Sequence, residues 1–236
     1  MSSFSPWLKH TRYFCLPRCP LATPAMFRSA LVATAAADIA IVNIIRHGEK
    51  DDNSGTGLTA DGENRAQYLG RCMSVGGSEA VPHTPTVVMA SLVRSGKSHR
   101  PRDTVQPLAS TLGLDLQMPC DKEDPTCFVE QVQKLQNGDV AVAAWVHDDI
   151  PSLMKALDVP HHKDYKSWPT TCDAAAWPEP DLPGTSTCYD LIWQVTLTRE
   201  SGKAWQPTSV TVLQEGFGGA ATSPCAEGLA QGAVVV

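Results

Sequence analysis

Ile39-Ala40-Ile41-Val42-Asn43-Ile44-Ile45 runs directly into Arg46-His47-Gly48-Glu49. The first seven residues are apolar except for Asn43 and mostly β-branched, which is the length and composition of a buried strand. The run stops, and an arginine, a histidine and a glycine follow at once. In an open α/β sheet, ligands bind beyond the carboxyl ends of strands. A cation beside an imidazole at such a place can hold a phosphoryl group and attack it, and the glycine permits a sharp turn or a close approach of backbone to ligand. The bland alternative is a strand ending in a polar loop, and the tetrapeptide alone leaves the two readings level.

Outward from this stretch, strand and helix patterns alternate. Thr59 is placed to cap a helix running to about Val75, in which Ala66, Leu69, Cys72 and Met73 recur at helical spacing. Thr86 to Ser91 reads as a strand. Val105, Leu108, Ala109 and Leu112 form an amphipathic stripe that Gly113 is placed to end, and Phe128 to Leu135 reads as a short helix. Val140 to Val146 is another buried strand, and it ends at His147. Ile150, Leu153, Met154 and Leu157 give a further helical stripe. Leu191 to Leu197 and Ser209 to Leu213 read as strands, antiparallel neighbours at a sheet edge. The alternation predicts an α/β fold, a single three-layer domain over residues 38–217 with a mostly parallel central sheet flanked by helices. Val159 to Tyr189 is irregular and reads as a long ordered loop of the lid or binding-loop kind, within which Tyr165 or Trp168 could line a pocket.

The chain of 236 residues is 42% hydrophobic and 19% charged, as in a folded globular protein. Its net charge of -6 is unevenly spread. Residues 1–37 hold Lys9, Arg12, Arg18 and Arg28 and no acid, so the remainder carries 15 basic against 25 acidic side chains (19 less these four, against 25). The acidic body argues against non-specific nucleic-acid binding. The basic leader, rich in Ser, Thr, Ala and Pro, points to organelle targeting or secretion. A tail without an address, compatible with a cytoplasmic protein, is the alternative. No stretch has the roughly 18 apolar residues of a membrane span. The Gly- and Ala-rich segment 218–236 reads as a flexible tail that adds little to the fold. Among the eight cysteines, Cys120 with Cys127 and Cys172 with Cys188 bracket loops and could pair, which would imply an oxidising compartment. Cys72 falls on a helix core face and reads as a buried thiol.

Gly57-Leu58-Thr59-Ala60-Asp61-Gly62-Glu63-Asn64-Arg65-Ala66, then Arg100-Pro101-Arg102-Asp103-Thr104-Val105, then a strand ending in His147, follow the first motif in that order. The chain thereby resembles the histidine phosphatase superfamily, the phosphoglycerate mutase-like family. Its members carry RHG after the first strand, an L-[ST]-x-x-G-x-x-[QR]-A helix start, an R-A-x-x-T-A segment and a second histidine after a later strand. Leu58, Thr59, Gly62, Arg65 and Ala66 match the second motif. Arg100 and Thr104 match the third, where Pro101 and Val105 replace alanines. The resemblance spans roughly Ile39 to Gly218.

The resemblance implies a metal-independent phosphatase acting on small phosphomonoesters. His47 would be the nucleophile forming a phosphohistidine, Arg46 and Arg100 would clamp the phosphoryl oxygens, and His147 would donate to the same group. The leaving alkoxide needs an acid. Asp148 is the first candidate, because the acid follows the histidine directly in the histidine acid phosphatase branch, although Asp148 or Asp149 could instead cap the helix near Ile150. Glu49 is the second, with a salt bridge to Lys50 or Arg46 as its structural alternative. Glu123 is the third. Lys50 departs from the mutase-like pattern, which has a threonine nearby and then asparagine. Arg94 and Arg102 flank Arg100 as rival clamps, although Arg100 fits the R-x-x-x-T spacing. His161-His162 beside Asp148-Asp149 defines no coordination geometry, so neither a metal nor a cofactor is expected. A phosphoglycerate mutase-like phosphotransferase and a non-catalytic phosphate-binding protein on the same fold are the competing readings.

Overall fold

A parallel core of four strands carries the fold, and each strand after the first is reached by a crossover connection. The computed structural model describes residues 37–51, 53–74, 83–170, 172 and 188–217, and the backbone of 234–235. The chain divides into two units, Met1–Ala35 and Ala36–Val236. The first, with most of the expected leader, lies outside the described residues, as do nearly all of segment 218–236, Val75 and Trp177.

The strands are β1 (Asp38–Arg46), β2 (Val87–Ala90), β3 (Leu116–Gln117), β4 (Val140–Trp145), β5 (Leu191–Arg199), β6 (Gln206–Gln214) and β7 (Val234–Val235). Their order across the sheet is β3-β2-β4-β1-β5-β6-β7. β3, β2, β4 and β1 pair in parallel, whereas β5, β6 and β7 are added antiparallel in turn. β1 through β4 and β6 therefore point one way, and the sheet is mostly parallel as expected. β5 is not an edge strand. It lies against β1 along nearly its whole length, with Ile45 opposite Ile192 and Asp38 opposite Arg199. Val234–Val235 pairs with Thr211 and Val212, so part of the expected tail adds to the sheet.

The helices are α1 (Ala60–Cys72), α2 (Arg100–Leu112), α3 (Pro125–Val132) and α4 (Ile150–Leu157). Alternation along the buried strands divides them between two faces. Val42, Ile44, Ala141, Ala143 and Trp145 point into one core with Phe128 and Val132 of α3 and Ile150, Leu153 and Met154 of α4. Ile45, Val88, Ala90, Val142 and Ala144 point into the other with Leu69 of α1 and Val105, Leu108 and Ala109 of α2. Each Val, Leu, Ile, Phe or Met among them, fully withdrawn from water, contributes roughly 1.5–3 kcal/mol. The three layers follow from this two-sided burial.

Helix ends obey local chemistry. The Thr59 hydroxyl accepts from Gly62 N, the Asp124 carboxylate accepts from Cys127 N at the start of α3, and Gly113 closes α2 at φ 67°. α3 begins at Pro125, earlier than the apolar stripe implies, because a capping aspartate and a proline start it. α1 stops at Cys72, short of Val75.

Disulfides join Cys120 to Cys127 and Cys172 to Cys188. Cys72, expected as a free thiol, is disulfide-bonded as well. Tyr165 and Trp168, considered above as pocket walls, are core residues packed against Trp193, Tyr165 edge-on at a ring distance of 5.0 Å and Trp168 tilted at 4.9 Å. Among the described residues no helix is long and apolar enough to cross a membrane.

Candidate active site

β1 and β4 are adjacent and parallel, with Arg46 in register with Trp145. The residues that follow them therefore emerge side by side at the same carboxyl edge. This places the rings of His47 and His147 with centroids 6.2 Å apart in an edge-on arrangement. His47, Arg100, His147 and Asp148 line one cavity of about 370 Å³ together with Lys50, Ser91, Arg94, Lys97, Asp121, Lys122 and Glu123.

Two features fix His47. Its backbone N–H continues the ladder to Trp145 O at 3.0 Å. Its Nδ1 lies 2.7 Å from Gly48 O. A carbonyl only accepts, so Nδ1 carries the proton and Nε2 keeps its lone pair. Burial, aided by the charge of Arg46, lowers the His47 pKa to about 3, and burial with Arg46 lowers that of His147 to about 4. Both imidazoles are thus neutral across the physiological range. His147 Nε2 is 3.3 Å from Asp148 Oδ1.

The second and third sequence motifs lock the loop that carries His47. Gly48 N donates to the Thr104 hydroxyl at 2.8 Å, and that hydroxyl donates to Arg100 O at 2.8 Å. The four-residue spacing from Arg100 to Thr104 is one helical turn, which lets a single threonine tie the start of α2 to the backbone beyond His47. A Cβ on Gly48 would stand 3.0 Å from Gly62 O, and one on Gly62 would stand 2.7 Å from Glu49 O. These two glycines serve the close approach of α1 to the loop rather than a turn.

The candidate residues separate. Arg100 is on the cavity wall, and its Nε donates to Gly57 O at 2.7 Å and its Nη2 to Gly55 O. Arg46 is fully buried and is absent from the cavity lining. Its Nη1 donates to Cys188 O at 2.9 Å, and its guanidinium lies 3.8 Å from the centre of the Tyr189 ring. Glu49 faces away from the cavity. Its carboxylate takes Arg65 Nε and Nη2, the latter at 2.7 Å, so its partner is Arg65 rather than Lys50 or Arg46. Glu123 is on the cavity wall, 2.7 Å from Lys122 Nζ. Asp149 occupies the cap position of α4 but makes no side-chain cap bond. It accepts from Lys122 instead. Arg94 is held by Asp121, and Arg102 by Asp103. No group of three or more His, Cys, Asp or Glu side chains among the described residues is placed to hold a metal ion.

Beneath the site, Arg65 also donates to Asp190 at 2.9 Å and to Glu215 at 2.6 Å. Burial opposes the Arg65 charge, but Glu215, Glu49 and Asp190 outweigh it and raise its pKa. One cation cannot satisfy three carboxylates, and burial pushes Glu215 up to about 8. A raised folded-state pKa means that the folded state holds a proton which the unfolded chain releases above 4.5. The stabilisation is complete below pH 4.5 and is lost as pH rises through about 8, at no more than about 1.4 kcal/mol per pH unit. Glu215→Gln is therefore expected to flatten the fall of melting temperature across this window. A variant that tracks the wild type at every pH would contradict it.

No protein-family model and no curated protein matches the chain. Solved structures with remote likeness include a mycobacterial hydrolase at 15% identity and TM-score 0.43, covering 73% of this chain and 88% of that one. A phosphoglycerate mutase from Plasmodium falciparum has 14% identity and TM-score 0.43 over 70% and 91%. A phosphoserine phosphatase from Entamoeba histolytica, in complex with 3-phosphoglyceric acid, has 13% identity and TM-score 0.42 over 72% and 96%. At these identities and TM-scores the likenesses carry no argument, and the chemistry of this chain rests on its own geometry.

Lys97 and Lys122 on the cavity wall and Tyr189 over Arg46 escape sequence reasoning. The lysines sit in loops with no periodic signal. Tyr189 is brought to Arg46 only by the antiparallel pairing of β5 with β1.

Proposed function

We propose that the protein is a metal-independent phosphatase that hydrolyses small phosphomonoesters through a phosphohistidine on His47. The observation that carries this reading is the pair of imidazoles on one cavity, ring centroids 6.2 Å apart, with His47 Nδ1 engaged by Gly48 O. Nε2 of His47 attacks phosphorus, the P–O bond to the alcohol breaks, and the leaving oxygen takes a proton from Asp148. Water then cleaves the P–N bond and releases phosphate, with Asp148 accepting its proton. Arg100 and His147 hold the equatorial oxygens, and Lys50 and Lys97 add positive charge at the cavity. Arg46 acts from behind, as a buried charge close to both imidazoles.

A panel of phosphorylated metabolites and nitrophenyl phosphate, with His47→Ala as the blank, tests the reading. Vanadate, which mimics five-coordinate phosphorus, is expected to inhibit, and a chelator is expected to leave turnover unchanged. Activity abolished by the chelator and restored by a divalent ion would refute metal independence. Phosphate exchange between two positions of a metabolite without net release would assign a phosphotransferase instead, and tight phosphate binding without any turnover would assign a binding protein.

A further inference from the structure

Cys188-Tyr189-Asp190 touches both arginines at the base of the site, and the chemistry above uses none of the three. Cys188 O accepts from Arg46, the Tyr189 ring covers the Arg46 guanidinium at 3.8 Å, and Asp190 accepts from Arg65. The Tyr189 ring also lies 6.2 Å from that of His47. The segment is fixed from several sides. The disulfide to Cys172 clips it, and Trp168 Nε1 donates to Cys188 O at 2.9 Å. The Asp190 carboxylate accepts from Gly216 N and Phe217 N at 3.1 and 2.9 Å. Glu215 N donates to Asp190 O at 2.8 Å.

A guanidinium on a long flexible stem has many rotamers, and a ring face laid against it selects one plane through stacking and cation–π attraction. Arg46 immediately precedes His47, so its plane and the imidazole's placement are set on one short piece of backbone. We propose that Tyr189 is a positioning residue, which fixes Arg46 and through it His47 from a strap clipped by the Cys172–Cys188 disulfide. Its kinetic consequence rests on the phosphatase reading, and its structural consequence does not.

Tyr189→Phe keeps the ring, whereas Tyr189→Leu keeps apolar bulk without an aromatic face. The phenylalanine variant is expected to keep wild-type turnover of nitrophenyl phosphate. The leucine variant is expected to lose about 10- to 100-fold in kcat with KM little changed, the scale of loss that follows a misplacement of about 1 Å, and to keep its melting temperature. A second readout is independent of turnover. Phenylglyoxal modification of Arg46, followed by mass spectrometry, is expected to be slow in the wild type and in Tyr189→Phe and faster in Tyr189→Leu. Cys172→Ser, which opens the clip, is expected to move both readouts in the direction of leucine. Wild-type behaviour of Tyr189→Leu in both readouts overturns the proposal. So does an equal loss in the leucine and phenylalanine variants, which would assign the effect to the hydroxyl. A wild type without turnover in which the Arg46 pattern holds would remove the phosphatase reading and leave the strap standing. Normal turnover in Tyr189→Leu with unaltered Arg46 reactivity would do the reverse.

Discussion

His47→Ala is expected to lower phosphatase turnover by at least about 10⁴-fold, the scale at which losing a covalent nucleophile registers. The reason is the tautomer. Gly48 O holds the Nδ1 proton of His47, so Nε2 is a lone pair in every encounter with substrate, and no other imidazole in the cavity is held in this way. Burial adds a pH signature. With the His47 pKa lowered to about 3 and that of His147 to about 4, the acid limb of kcat/KM is expected below about pH 5, well under the 6.5 of an unperturbed imidazole. Stability carries the opposite mark. The folded state binds fewer protons at His47 than the unfolded chain, so this histidine costs stability as pH falls from 6.5 toward 3. The alanine variant is expected to be inactive yet more resistant to acid unfolding. Retained turnover with an unchanged acid limb would place the nucleophile elsewhere.

Much of this arrangement is legible in sequence, for identifiable reasons. β1 and β4 are largely buried on both faces, so they read as apolar runs, broken in β1 only by Asn43, and the polar residue after each run marks a strand end. Their adjacency, which brings His47 beside His147, is not in the residues themselves. It comes from the crossovers that set the order β2-β4-β1. β3 and β7, two residues each, are too short for any alternation to register. Side-chain partners are the least legible. Glu49 has Arg46 and Lys50 beside it in sequence, yet its partner is Arg65 in α1, because Gly48 and Gly62 let the helix press against the loop. Arg46 reads as a clamp from its motif, yet its guanidinium is taken by Cys188 and Tyr189, more than a hundred residues along the chain. Local reasoning finds the ends of elements and misses contacts between distant ones.

Asp148→Asn is expected to lower turnover of alkyl phosphates by roughly 10²–10⁴-fold, the usual scale of general acid catalysis, and to affect nitrophenyl phosphate far less. An alkoxide cannot leave without a proton, whereas a nitrophenolate can. The carboxylate is on the cavity wall, 80% exposed, with its Oδ1 3.3 Å from His147, so a substrate held by His147 has its bridging oxygen within reach of Asp148. The competing role, a helix cap, predicts a stability loss of about 1 kcal/mol without leaving-group dependence. Asp149 rather than Asp148 stands at the cap position of α4, so the melting temperature of Asp148→Asn is expected to be unchanged. Glu123→Gln and Glu49→Gln complete the comparison. Glu123 shares the cavity wall, and a leaving-group-dependent loss there, with none in Asp148→Asn, would transfer the acid role to it. Glu49 is bound by the Arg65 fork. Its variant is expected to lower the melting temperature and to slow both substrates alike, the pattern of a carboxylate that supports the loop of His47 without meeting the leaving group.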